Sequence, residues 1–153
     1  MVTNVGNQEN FTDAIKELIE LDYDAVEAYE VAIKNLENAK YKDKFIEFKG
    51  DHEQHIKQLS AFLERSSEVA PTKADKTKGL LAQGKVAIAS LVGDKTILKA
   101  MLSNEEDTVT AYERINERVE ESSDTKIATI IAKGLADETR HKDWITTTLD
   151  QLK

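Results

Sequence analysis

The only proline of the chain is Pro71, so residues 1–70 and 72–153 run without the residue that most reliably stops a helix. Glycine, the next best breaker, occurs six times in 153 residues. Such sparse punctuation predicts long helices, and the apolar residues are spaced to match. A first stripe runs Ile15, Leu18, Asp22, Ala25, Tyr29, Ala32 and Leu36, in alternating steps of three and four. A second runs Phe45, Phe48, His52, His55, Leu59 and Phe62. A third runs Leu98, Met101, Glu105, Thr108, Tyr112, Ile115 and Val119. The fourth is Ile127, Ile131, Gly134, Glu138, His141, Ile145, Thr148 and Leu152. Each is the inward stripe of an amphipathic helix, with Glu, Lys and Asp on the other faces.

Linker lengths then set the topology. Helices over 11–38 and 41–65 are joined by almost nothing, as are helices over 94–121 and 124–152, so each pair forms an antiparallel hairpin. The connection 66–93 is long enough to run the length of the molecule and make the second and third helices parallel. The expectation is an all-α, antiparallel four-helix bundle with one long crossover, a single domain over 1–153. The crossover begins polar, SSEVAPTKADKTKG, and turns apolar at LLAQGKVAIASLV, which predicts a short extra helix there and could also pair two subunits into a homodimer.

Charge narrows the function. With 21 basic and 29 acidic side chains the net charge is −8, which argues against a nucleic-acid footprint and against docking on an anionic membrane. The absence of cysteine excludes disulfides, thiol catalysis and iron–sulfur clusters. No stretch is long and apolar enough to span a bilayer, and MVTNVGNQEN does not look like a signal peptide, so a cytoplasmic location is expected.

Six ionisable residues interrupt the stripes: Asp22, His52, His55, Glu105, Glu138 and His141, which include every histidine of the protein. The two halves repeat them. DYDAVEAYEVAI (22–33) aligns with EEDTVTAYERIN (105–116), and DHEQH (51–55) with DETRH (137–141), so a duplicated hairpin would bring matching residues to a common axis. Residues three apart on a helix rise about 4.5 Å and stay on nearly one face, so His52/His55 and Glu138/His141 can each aim two donors at one point. Buried charges need partners. These six could pair with one another in a hydrogen-bonded network, or hold cations, and the imidazole–carboxylate mixture suits iron, manganese or zinc. Glu20, Glu27, Glu30, Glu37 and Glu53 fall on outward or flanking faces, where solvated charge is expected. Asp51, Glu106, Asp107 and Asp137 lie beside the inward positions.

A carboxylate on one helix, an acid-x-x-His pair on the next, a long crossover and the same again resembles the ferritin-like di-iron carboxylate superfamily. Glu138-Thr-Arg-His141 matches its Glu-x-x-His element, Glu105 its single glutamate, and Tyr29 and Tyr112 its tyrosines seven residues after each acid. The order of elements is closest to small bacterial ferritin-like proteins of unassigned function. The resemblance implies two iron ions held by Asp22, His52, His55, Glu105, Glu138 and His141, and oxidoreductase chemistry on dioxygen or hydrogen peroxide. Tyr29 and Tyr112 would pack in the core and reach an acid just outside the ligands. Two residues depart from the pattern: Asp22 stands where glutamate is usual, and His52 where a bridging glutamate is expected. A histidine does not bridge metals as a carboxylate does, so occupancy of the second position is in question. No haem is expected, because Met101 lies on an inward stripe, and nothing points to a storage cage. The competing expectation is a stress-associated structural or partner-binding bundle that at most sequesters metal.

Overall fold

The computed structural model describes residues 3–75 and 77–152 and is all-α, with no strand among them. Four long helices are α1 (Phe11–Asn35), α2 (Ala39–Arg65), α4 (Asp94–Asn116) and α5 (Lys126–Gln151); a short α3 (Lys85–Ala89) lies in the crossover. Helix α1 starts where the Asn10 side chain accepts the Thr12 and Asp13 N–H groups, and α2 where Asn38 does the same for Lys40 and Tyr41. Because Asn38 caps the second helix, the first ends at Asn35 rather than at 38, with Leu36 already extended at ψ 145°. The third long helix also stops short of 121, at Asn116. A 3-10 turn, Val119–Glu121, follows it, where the Arg118 guanidinium leaves the helix path and donates to the carbonyls of Gly6 and Glu9.

Cross-links fix the directions. Asp94, at the start of α4, accepts the N–H groups of Glu37 and Asn38 at 2.8 and 2.9 Å, so α4 begins where α1 ends and α2 begins. At the opposite end Arg65 of α2 pairs with Asp124, just before α5, at 2.8 Å. Helices α2 and α4 therefore run parallel, every adjacent pair is antiparallel, and the crossover spans the bundle's length. The molecule is the antiparallel four-helix bundle that the stripes predict. None of the described helices is long and apolar enough to cross a membrane.

The crossover is fastened by buried polar groups. Asp107 accepts the N–H groups of Thr3 and Ala82, and the Asn104 side chain exchanges two hydrogen bonds with the Gln83 backbone. Lys78 donates to Glu17 and Glu20 of α1 at 2.8 Å each. Glu20, expected on a solvated face, is consequently buried; no periodicity shows that a lysine from the crossover will cover it. Leu80, Leu81 and Ile88 pack on the bundle itself, leaving Val86 and Val92 exposed.

The core is in two parts. Ile15, Leu18, Leu59, Phe62, Ile115, Ile127 and Ile131 belong to one apolar cluster. Tyr29, Ala32, Phe45, Phe48, Leu98, Met101 and Ile145 belong to the other. The stripe positions between them are the six ionisable ones, with Thr108 and Gly134.

Candidate metal centre

Asp22, His52, His55, Glu105, Glu138 and His141 form one layer across all four long helices, none more than 3% exposed. They divide into two groups of four whose donor atoms lie close enough to share an ion: Asp22, His52, His55 and Glu138; and His52, Glu105, Glu138 and His141. In the first, His52 Nδ1 lies 2.7 Å from Asp22 Oδ1 and 3.3 Å from Glu138 Oε1. His55 Nδ1 lies 3.3 Å from the same Glu138 oxygen and 3.6 Å from Asp22 Oδ1. In the second, His52 Nε2 is 3.4 Å from Glu105 Oε1, and His141 Nδ1 is 3.6 Å from Glu105 Oε2 and 3.4 Å from Glu138 Oε2. Donors placed tetrahedrally at about 2.1 Å from an ion stand about 3.4 Å from one another, so most of these separations already suit one.

Three buried atoms show that these residues do not satisfy one another. His55 Nδ1, Glu138 Oε1 and His141 Nδ1 have no hydrogen-bond partner. His55 Nδ1 and Glu138 Oε1 are 3.3 Å apart and still make no hydrogen bond. Native interiors rarely leave such atoms orphaned, and an atom of this kind calls for a missing partner. A donor set that converges on a point and leaves three atoms unpartnered is compatible with a metal ion.

The far side of each histidine is held across the bundle. His55 Nε2 lies 2.8 Å from Asp137 of α5, and His141 Nε2 lies 2.8 Å from Asp51 of α2. Asp51 and Asp137 occupy equivalent positions in DHEQH and DETRH, so the repeat carries a crossed pair of carboxylate–histidine contacts. With the proton on Nε2 each ring presents the Nδ1 lone pair inward. Arg140 joins the two acids, reaching Asp51 at 2.7 Å and Asp137 at 3.3 Å. In the sequence both aspartates lie only beside the inward positions. Their Asp-x-x-x-His spacing was the available signal, but the partner of each lies on the other helix. We expect Asp51→Asn and Asp137→Asn each to weaken metal binding about 10- to 100-fold, read by competition with a chelator. Unchanged affinity in both would show that these contacts orient nothing.

The tyrosines cross over as well. Tyr29 donates to Glu105 Oε1 at 2.6 Å and Tyr112 to Asp22 Oδ2 at 2.8 Å, so each hydroxyl grips a carboxylate of the layer itself, not an acid outside it. Burial, and then the nearby carboxylates, push both phenols well above their ordinary range, so they remain donors. Thr108 Oγ1 sits 3.1 Å from both Glu105 Oε2 and Glu138 Oε2 and can donate to one at a time. Gly134 is explained by Tyr112. A Cβ there would lie 2.4 Å from Tyr112 Cε1, so the glycine makes room for the ring. Gly134→Ala should therefore destabilise the fold by about 1–3 kcal/mol. Gly50→Ala, in α2 with nothing within 4 Å, should stabilise it by about 0.5–1 kcal/mol. Denaturant melts of the two variants check the contrast.

Without metal, protons hold the layer together. Burial alone would lower the His52 imidazole, but Glu138, Asp22 and Glu105 outweigh it and raise it to about 9. Burial opposes protonation of His55 and His141 too, yet the carboxylates around them, Asp137 and Asp51 foremost, raise these rings to about 12 and about 11. Burial would likewise raise Asp22 and Glu105, and the histidines beside them lower both instead.

Comparison with known proteins agrees with this architecture. The sequence model of a family described as a domain of unknown function, DUF2383, matches residues 10–118. The chain belongs to that family. The match spans α1 to α4, so Asp22, His52, His55 and Glu105 lie within the DUF2383 region, whereas Glu138 and His141 lie beyond it. No curated protein matches the sequence. Among solved structures, one described as a ferritin-like, diiron-carboxylate protein from Bacillus anthracis str. Ames is similar at a TM-score of 0.75, with 16% identity over 91% of this chain and 94% of that one. At that identity the likeness shows the fold: this DUF2383 chain is a ferritin-like bundle, with a buried Asp/His/Glu layer compatible with metal.

Proposed function

We propose that the layer binds two transition-metal ions, iron first among them, and serves oxidoreductase chemistry on dioxygen or hydrogen peroxide. The observation that carries this reading is the set of three orphaned buried donor atoms inside two four-donor groups. Two iron ions would supply the electrons that reduce the oxidant. The protein's own part is to hold and insulate them. Glu138 contributes one oxygen to each group, while Asp22 and Glu105 are tied in place by Tyr112 and Tyr29. Asp137 and Asp51 keep the His55 and His141 lone pairs aimed inward. Phe48, stacked 4.2 Å from the His141 ring, and the two apolar clusters keep bulk water out. A layer so deeply buried suits a small oxidant better than an organic substrate. The diiron-carboxylate description of the structural neighbour supports iron, and manganese or zinc satisfy the same donors.

The test is to load metal-free protein anaerobically with two equivalents of Fe(II), mix it with dioxygen or hydrogen peroxide, and follow Fe(III) by stopped-flow absorbance. Oxidation faster than that of free Fe(II) in the same buffer, lost in Glu138→Ala, is expected. Iron bound two per chain but oxidised no faster than free Fe(II) would overturn the oxidoreductase reading and leave a sequestering site.

A further inference from the structure

We propose that His52 bridges the two ions as an imidazolate, with Nδ1 on the ion held by Asp22, His55 and Glu138, and Nε2 on the ion held by Glu105, His141 and Glu138. This rests on the two-ion reading above and goes beyond it.

The first support is the placement of the ring. His52 is one of only two residues common to both donor groups, and its nitrogens divide between them. Nδ1 lies 2.7 Å from Asp22 Oδ1 and 3.3 Å from Glu138 Oε1, whereas Nε2 lies 3.4 Å from Glu105 Oε1. The ring thus spans the layer as the Glu138 carboxylate does, one donor atom to each side. A neutral imidazole has a single free lone pair and could serve only one group; an imidazolate has two.

The second support is charge. Two divalent ions bring four positive charges into a fully buried layer, where net charge is costly. Asp22, Glu105 and Glu138 supply three negative charges. The next carboxylates, Asp51 and Asp137, are engaged by Arg140 and by the outer nitrogens of His141 and His55. Deprotonated His52 supplies the fourth, so histidine replaces a bridging carboxylate without loss of charge balance.

For both nitrogens to bind, His52 must give up its ring protons to solvent as the two ions enter, while His55 and His141 keep Nε2–H on Asp137 and Asp51.

Zinc(II) is the probe, being diamagnetic and redox-silent. Metal-free, 15N-labelled protein is titrated with zinc(II) alone, and the three histidine rings are followed by long-range 1H–15N correlation. The expected result is two zinc ions per chain, Nε2–H retained on His55 and His141, and no ring N–H on His52, both of whose nitrogens shift to metal-bound values. His52→Gln, with one donor and no removable charge, should take up one zinc instead of two while keeping the wild-type pattern of backbone amides elsewhere. If that variant does not fold, the wild-type spectrum decides alone. Two zinc ions with an N–H still on His52 would overturn the bridge and leave the two-ion reading standing. Fewer than two zinc ions would overturn both.

Discussion

Glu138→Ala should abolish metal binding, whereas Glu53→Ala, only one residue from His52, should leave it unchanged. The Glu138 carboxylate gives Oε1 to one donor group and Oε2 to the other, so its removal takes a ligand from both at once. Glu53 is on the exposed face of α2 and contributes to neither. The truncation also leaves His52 and His55 without a carboxylate 3.3 Å from each. Stripping the partner from a buried charge costs about 3–5 kcal/mol, so the variant should melt earlier even without metal. Glu138→Gln, which keeps the shape, separates the loss of a ligand from a loss of fold. Metal content after purification, and titration of the metal-free variants, measure the effect. Equal binding by the Glu138 and Glu53 variants would contradict the inward assignment.

The second large effect is a reversal of pH dependence on loading. In the metal-free protein the three imidazoles are raised from about 6.5 to about 9, 11 and 12. A group raised on folding contributes stability that is complete below its unfolded value and is lost as pH climbs through the folded one. The contribution is therefore full below about pH 6.5 and declines above it, and for His52 alone the loss amounts to about 3 kcal/mol by pH 9. Asp22 and Glu105 are lowered from 3.8 and 4.5, so their contribution is complete above those values and disappears as pH falls. The metal-free protein should be most stable between about pH 4.5 and 6.5. Metal binding expels the same protons, so the loaded protein gains stability as pH rises through neutrality. Melting curves at pH 5.5 and 8.5, with chelator and with metal, should differ in opposite senses. For the metal-free protein the drop should be about 5–10 °C from His52 alone, and more with His55 and His141. A metal-free melting temperature that is flat or rising over this interval would show that the histidines are not protonated partners of the carboxylates.

What was legible in the sequence was whatever one helix records by itself. The stripes through Asp22, His52, Glu105 and Glu138 identified the inward positions, because a single polar residue among apolar ones at steps of three and four has only one face to occupy. The hairpin repeat in DHEQH and DETRH went further and implied convergence on an axis. Relations between helices were not legible. That Asp51 serves His141, and not His55 four residues along its own helix, depends on how α2 and α5 are rotated against each other. The burial of Glu20 depends on where Lys78 falls in an irregular crossover. The early end of the third long helix follows from Arg118 reaching back to Gly6 and Glu9, a contact over more than a hundred residues that no local pattern announces. His52 shows a different limit. Its identity suggested a lost bridge, and only the orientation of its ring shows a nitrogen delivered to each side.

Crystals of the metal-loaded protein, with anomalous differences collected above and below the metal absorption edge, address the common centre directly. Two anomalous peaks inside the layer are predicted, one among Asp22, His52, His55 and Glu138 and the other among His52, Glu105, Glu138 and His141. Peaks confined to surface carboxylates, with the layer empty in protein saturated with metal, would contradict it.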